Sequence, residues 1–202
     1  MNSGYGKIPA LLVGAAVVLS LTPALAQADA SNYNYLQLDY RNGQIGGFDM
    51  HGWHVSGSYR FLEDFFVAAS RTDSELNEEI PDFRFDSNAT TASLGFIFAE
   101  NATASIFGSI GYREDEDRTR FQGNRSEETL DGYDLGLGAR INLSPEAELR
   151  LGANHVDFGD GSNLTIPSVA LLYKFTRRVA GNVDYQRKDG YDTVGLGFRV
   201  YF

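Results

Sequence analysis

Residues 194–202, Val-Gly-Leu-Gly-Phe-Arg-Val-Tyr-Phe, alternate without a break. Val194, Leu196, Phe198, Val200 and Phe202 share one parity; Gly195, Gly197, Arg199 and Tyr201 share the other. That is the period of a β-strand with one apolar face and one small or polar face. The apolar face includes the terminal Phe202 itself. An exposed terminal Phe brings a soluble chain little. A strand that closes a sheet in lipid turns such a face to hydrocarbon and pairs its edge with the first strand. The pattern therefore predicts a transmembrane β-barrel.

The other end of the chain points to export. Lys7 is the only charge before Asp29, and residues 8–21 form an apolar run broken by Pro9 and small residues. Ala24-Leu25-Ala26 and Ala26-Gln27-Ala28 are small-x-small cleavage sites. We read residues 1–28 as a signal peptide and 29–202 as one barrel domain of about 174 residues (202 − 28). A retained membrane anchor is the other reading, but the run is too short and no positive flank follows it. Removing Lys7 takes the formal charge from −10 to about −11, a poor balance for a nucleic-acid binder. There is no cysteine, so burial and sheet closure must supply the stability. After Leu21 no run reaches the roughly 18 apolar residues of a membrane-spanning helix.

The mature region reads as ten alternating segments: 33–41, 52–61, 65–73, 85–98, 104–113, 130–143, 148–157, 165–175, 179–186 and 191–202. Most are near the roughly 9–11 residues that cross a bilayer as a tilted strand. Short connections (62–64, 99–103, 144–147, 176–178) alternate with mostly longer, more acidic ones (42–51, 74–84, 114–129, 158–164 and the brief 187–190). Short turns at one rim and long loops at the other are the habit of outer-membrane barrels. An even count puts both termini at the short-turn rim.

Giving each strand its apolar parity sorts the outward aromatics by depth. Phe61, Phe66, Phe98, Phe175 and Phe202 fall at the short-turn rim. Tyr40, Trp53, Tyr112, Tyr133 and Tyr185 fall at the long-loop rim. Two aromatic belts around an aliphatic band are expected of a lipid-facing barrel, whereas a soluble sandwich has no cause to sort rings by depth. For residues 65–73 we expect Phe66, Ala68, Ser70 and Thr72 to face outward, because the reverse puts Arg71 in lipid.

These features resemble the small OmpA/OmpX-like outer-membrane β-barrel proteins, the "outer membrane protein beta-barrel domain" grouping. The matching stretches are Tyr33-Asn34-Tyr35-Leu36-Gln37-Leu38, Gly57-Ser58-Tyr59-Arg60-Phe61 and Gly197-Phe198-Arg199-Val200-Tyr201-Phe202. The resemblance covers the mature chain and implies a porin-like or structural envelope role and a Gram-negative outer membrane. It also implies recognition of Phe202 by the barrel-insertion machinery. Many such domains have eight strands, so eight is the alternative to our ten.

The inward parity collects Asp39, Arg41, Arg60, Arg71, Arg113, Asp134, Arg140, Arg150, Lys174, Asp184 and Arg199. Interiors near eight strands are filled by side chains, and wide channels need 16–18. We expect a plugged, salt-bridged lumen with at most a narrow passive pore, anion-preferring because basic residues gather at the short-turn end. The acidic loops could hold divalent ions but lack the EF-hand order, so we expect no metal and no cofactor. His54 faces the lumen near the outer rim; one His among scattered carboxylates is a weak catalytic signal, and no enzyme is expected. The expected partners are outer-membrane lipid and lipopolysaccharide, with no nucleic acid. A closed barrel leaves no strand edge that forces association, so a monomer is expected. Binding through the 114–128 stretch, as in an adhesin, is the alternative role; a rim-active hydrolase is the third.

Overall fold

A computed structural model describes residues 32–45, 48–76, 82–159, 161–188 and 191–202. The expected signal peptide lies outside the described residues. Ten strands are present: β1 Tyr35–Ile45, β2 Phe48–Arg60, β3 Phe65–Leu76, β4 Phe83–Glu100, β5 Ala104–Phe121, β6 Asn124–Asn142, β7 Ala147–Asp157, β8 Asn163–Lys174, β9 Val179–Lys188 and β10 Tyr191–Tyr201. Each pairs antiparallel with its sequence neighbours, and β1 pairs with β10 from Tyr35↔Tyr201 to Gly43↔Thr193, closing the barrel. The count is ten, not eight. The closing strand pairs as its alternation requires, with Leu36, Leu38 and Tyr40 opposite Val200, Phe198 and Leu196 on the outer surface.

Three of the four short turns share one device. Asn101 Oδ1 accepts from the amides of Thr103 and Ala104 at 2.8 and 2.9 Å. Ser144 Oγ accepts from Glu146 and Ala147 at 3.2 and 3.0 Å. Thr176 Oγ1 accepts from Arg178 and Val179 at 3.1 and 3.0 Å. In each case a side-chain oxygen replaces the backbone partner that a tight turn removes. That chemistry pins the register at this rim.

The opposite rim departs from expectation. Residues 114–129 are not a loop. β5 and β6 run on for 18 and 19 residues and meet in a two-residue turn at Gln122 and Gly123. Both turn residues have positive φ, 49° and 82°, the geometry that matches strand twist in a tight hairpin. Strand also covers 42–45 and 48–51, and 74–76 and 83–84 at the flanks of the next stretch. With about 10 residues needed to cross lipid, nearly half of β5 and β6 stands clear of the membrane. The result is a twisted sheet of β4, β5 and β6 rising from one side of the barrel.

Candidate functional site

The short-turn half of the lumen is filled. Residues 32–34 precede β1 and fold into the mouth. The Tyr33 ring is buried there beneath the Arg140 guanidinium, whose central carbon lies 3.6 Å from the ring centroid. Its hydroxyl shares a 3.0 Å hydrogen bond with Ser105, and the rings of Phe66 and Phe107 flank it at 4.8 and 5.9 Å. Arg140 also donates to the Asn32 carbonyl at 2.8 Å. Phe66 can sit on the axis side only because Gly95 stands beneath it; a Cβ there would lie 2.1 Å from the ring. Arg60 at the end of β2 and Glu100 at the end of β4 pair at 2.8 Å across the width of β3. A desolvated cation–ring contact of this kind contributes about 2 kcal/mol.

A second layer lies just above. Arg199 stacks on Tyr35 at 3.7 Å and donates to Gln37 Oε1 at 2.8 Å. Arg150 reaches Tyr35 at 5.2 Å and donates to Glu148 Oε1 at 2.5 Å. Glu148 is wholly buried and is the one acid among Arg140, Arg150 and Arg199 in this layer. Aromatic faces, not carboxylates, take up the remaining positive charge. Arg150 Nη2 and Arg199 Nη1 have no hydrogen-bond partner among the described residues.

The other half of the lumen is open. Inner positions on β3 and β4 carry Ser70, Thr72, Ser74, Ser87, Ala89 and Thr91, and these short side chains leave a vestibule of about 220 Å³. A second space of about 210 Å³ lies deeper and reaches Arg150 and Arg199. Both are lined by Arg41, His54, Asn154, Ser168 and Gln186, so they are contiguous. The acids along this path are engaged. Asp39 accepts from Gln37 and Asn182 at 2.6 and 3.0 Å, Asp134 from Asn154 at 2.5 Å, and Asp184 lies 3.5 Å from Arg41. His54 shares a 2.9 Å bond with Thr72. Above the outer belt, Asp115 receives Arg113 at 2.6 Å and Lys188 at 3.1 Å. Burial alone would raise the Asp115 carboxyl, but the Arg113 hydrogen bond and the Lys188 charge hold it below the usual carboxylate range.

The outer surface of the rising sheet is zoned by charge. Nearest the belt, Glu114 stands opposite Asp131, and Glu116 opposite Asn88 and Thr129. One residue pair below the hairpin tip, Arg84, Arg120 and Arg125 sit directly opposite one another across three strands. Arg125 pairs with Glu127 at 3.0 Å; Arg84 and Arg120 form no ion pair among the described residues. Like charges facing across strands are destabilising, so this row costs the sheet something.

Asp39, Arg41, Arg60, Arg113, Asp134, Arg140, Arg150, Lys174, Asp184 and Arg199 all stand on the inner face. Arg140, Arg150 and Arg199 come together; Arg41 and Asp184 form a pair; Lys174 stays at the rim. The β3 expectation is reversed. Phe66 is interior and 4% exposed, while Arg71 and Asp73 point outward and pair at 2.9 Å. Register decides this, because Arg71 lies opposite Val55 and Asp73 opposite Trp53, both outward residues. Interpolating from Trp53 on β2 to Tyr112 on β5 puts Arg71 at the belt, where a long side chain reaches headgroups. Phe65 and Val67 take the lipid-facing positions instead. Tyr40, Trp53, Tyr112, Tyr133, Tyr185, Phe61, Phe98, Phe175 and Phe202 lie on the outer surface. Sequence reasoning missed Tyr33, Tyr35, Gln37, Glu148 and Phe107 as lumen residues. Parity alone assigns all five: Tyr33, Tyr35 and Gln37 share the phase of Asp39, Glu148 that of Arg150, and Phe107 that of Arg113.

The chain is similar to several solved structures. Neisserial surface protein A is 17% identical over 86% of this chain and 99% of its own, with a TM-score of 0.46. Ail, the attachment invasion locus protein of Yersinia pestis, is 16% identical over 83% and 95%, with a TM-score of 0.44. The KdgM porin is 14% identical over 82% and 99%, also at 0.44. No curated protein sequence matches the chain. The description "Outer membrane protein beta-barrel domain" matches residues 12–175, most of the sequence. The chain is therefore a member of the outer membrane protein beta-barrel domain family, with the porin-like fold of Gram-negative envelope proteins.

Proposed function

We propose that this protein is a non-enzymatic barrel of the outer membrane, exported by residues 1–28, that passes little or no solute and acts through its extracellular sheet. The observation that carries the reading is the doubled closure of the lumen, Tyr33 under Arg140 and Tyr35 under Arg199. A free path would need both stacks to leave together with Phe66 and Phe107. The second support is the length of β5 and β6, which no membrane crossing requires. The Arg84–Arg120–Arg125 row is suited to a phosphorylated or sulfated saccharide, since guanidinium forks match such oxyanions. The barrel acts as a single copy among lipid and lipopolysaccharide, and Phe202, whose amide donates to the Asn34 carbonyl at 3.2 Å, is the element read during insertion.

Planar-bilayer recording of refolded protein tests this. The expected trace has no resolvable unitary steps; clear steps in the unaltered protein would overturn the reading. Sequencing the mature protein should find Asp29 at its N-terminus.

A further inference from the structure

We infer that the outward-opening vestibule is a binding site for a compact oxyanion, with Arg150 and Arg199 as its floor. The argument is independent of what the extracellular sheet contacts. The floor residues are on neither an exposed surface nor a satisfied ion-pair lattice. Arg199 is 3% exposed, and its Nη1 has no partner among the described residues. Arg150 Nη2 is in the same state, because Glu148 engages Arg150 through Nε. Both side chains line the deeper cavity of about 210 Å³. The cavity therefore ends on two guanidiniums whose positive charge only Glu148 offsets by an ion pair, and an anion entering from outside meets that charge.

The surrounding groups fit an oxyanion and limit its size. Asn154, Asn182, Gln186 and Ser168 line the space as neutral hydrogen-bonding groups. Arg41 adds a third cation at the entrance to the deeper cavity, with its Nε also unpartnered. The acids that face the site are Asp184, which stands beside Arg41, Asp134, which lines the vestibule and accepts from Asn154, and Asp39, which Gln37 and Asn182 hold. Among the charged lining residues Arg41, Arg150 and Arg199 outnumber Asp184, and Glu148 offsets Arg150 from behind. At roughly 30 Å³ per water in the liquid, 210 Å³ holds a sulfate, a phosphate or a small carboxylate with its residual water. A polymer or large oligosaccharide cannot enter. The closed floor below makes this a dead-end site: a ligand leaves by the way it came.

The test is calorimetric titration of inorganic sulfate into folded full-length protein in neutral detergent at low salt, with a heat-modifiability gel reporting the barrel. One saturable site is expected. Arg199→Gln should weaken it about tenfold or more, the value of a hydrogen bond to a charged group. A variant with Arg84, Arg120 and Arg125 all changed to Gln should bind sulfate as the unaltered protein does. If Arg199→Gln does not fold, Ser168→Phe decides, since it fills the passage shared by both cavities and should abolish binding in a folded barrel. The absence of saturable binding to the unaltered protein would overturn the inference. So would unchanged binding in folded Arg199→Gln or Ser168→Phe, or binding lost only when the sheet arginines are removed.

Discussion

The two halves of the lumen have the same strands for walls and opposite contents. At the short-turn end the inner positions carry Phe66, Ile97, Phe107, Arg140, Arg199 and Tyr201, and Tyr33 enters from outside the sheet. At the other end the positions of β3 and β4 that line the vestibule carry only Ser, Thr and Ala. Strand number sets the bore, but side-chain volume decides whether the bore is a wall or a room. The difference also separates two kinds of electrostatics. Below, arginines are held by aromatic faces with little acid present. Above, Asp39, Asp134 and Asp184 are each met by an amide or a guanidinium.

The largest effect should come from removing the stack. Arg140→Ala combined with Tyr33→Ala should turn a silent barrel into one with resolvable bilayer conductance. It should also lower urea stability by about 3–5 kcal/mol, because Glu148 loses a buried counter-charge and the packed Tyr33 ring is removed. Equal silence in this variant would mean that the second layer alone closes the path. Next come substitutions that distinguish filled from open space. Ser105→Leu, in the packed half, should cost about 1–3 kcal/mol through overpacking. Thr91→Leu, in the vestibule, should stay within about 0.5 kcal/mol. Urea midpoints measured on the pair test the contrast, and similar costs would refute it.

A smaller effect is expected at Asp115. Its folded-state pKa is depressed, so its contribution is fully present above the ordinary carboxylate range and is lost as pH falls through the folded value. Asp115→Asn should therefore destabilise by about 1–2 kcal/mol at neutral pH and by progressively less below about pH 4. Urea titrations at several pH values read this directly. Smallest of all, neutralising Arg84, Arg120 and Arg125 should leave stability unchanged or raise it by about 0.2–1 kcal/mol per relieved pair. The same variant should lose retention on a sulfated-polysaccharide resin if the outer sheet is the contact surface.

Much of this architecture was legible in the sequence because half-buried strands must alternate. The ten segments, the closing strand and both belts follow from that rule. It failed where its premise failed. Along 65–73 both parities are mixed, and we let the cost of Arg71 in lipid choose the face. The structure places Arg71 at the interface beside Asp73, where that cost is small. Along 114–129 both faces of the strands meet water, so no apolar face marks them; only Gln122-Gly123 signalled a hairpin. The polar members of the lumen could be read one by one. Their grouping into filled and open halves could not, since it depends on which residues share a level across the ten strands.

Asn34 ties three parts of the molecule to one side chain's neighbourhood. Its Oδ1 accepts the Arg60 amide at 2.7 Å, its carbonyl accepts the Phe202 amide, and Tyr33 precedes it in the plug. The seam between β1 and β10 is the last to form when a barrel is assembled in chain order. Placing the plug and sealing that seam are consequently a single event. An intermediate open at the seam is also open along its axis, and it becomes watertight only when it becomes a barrel.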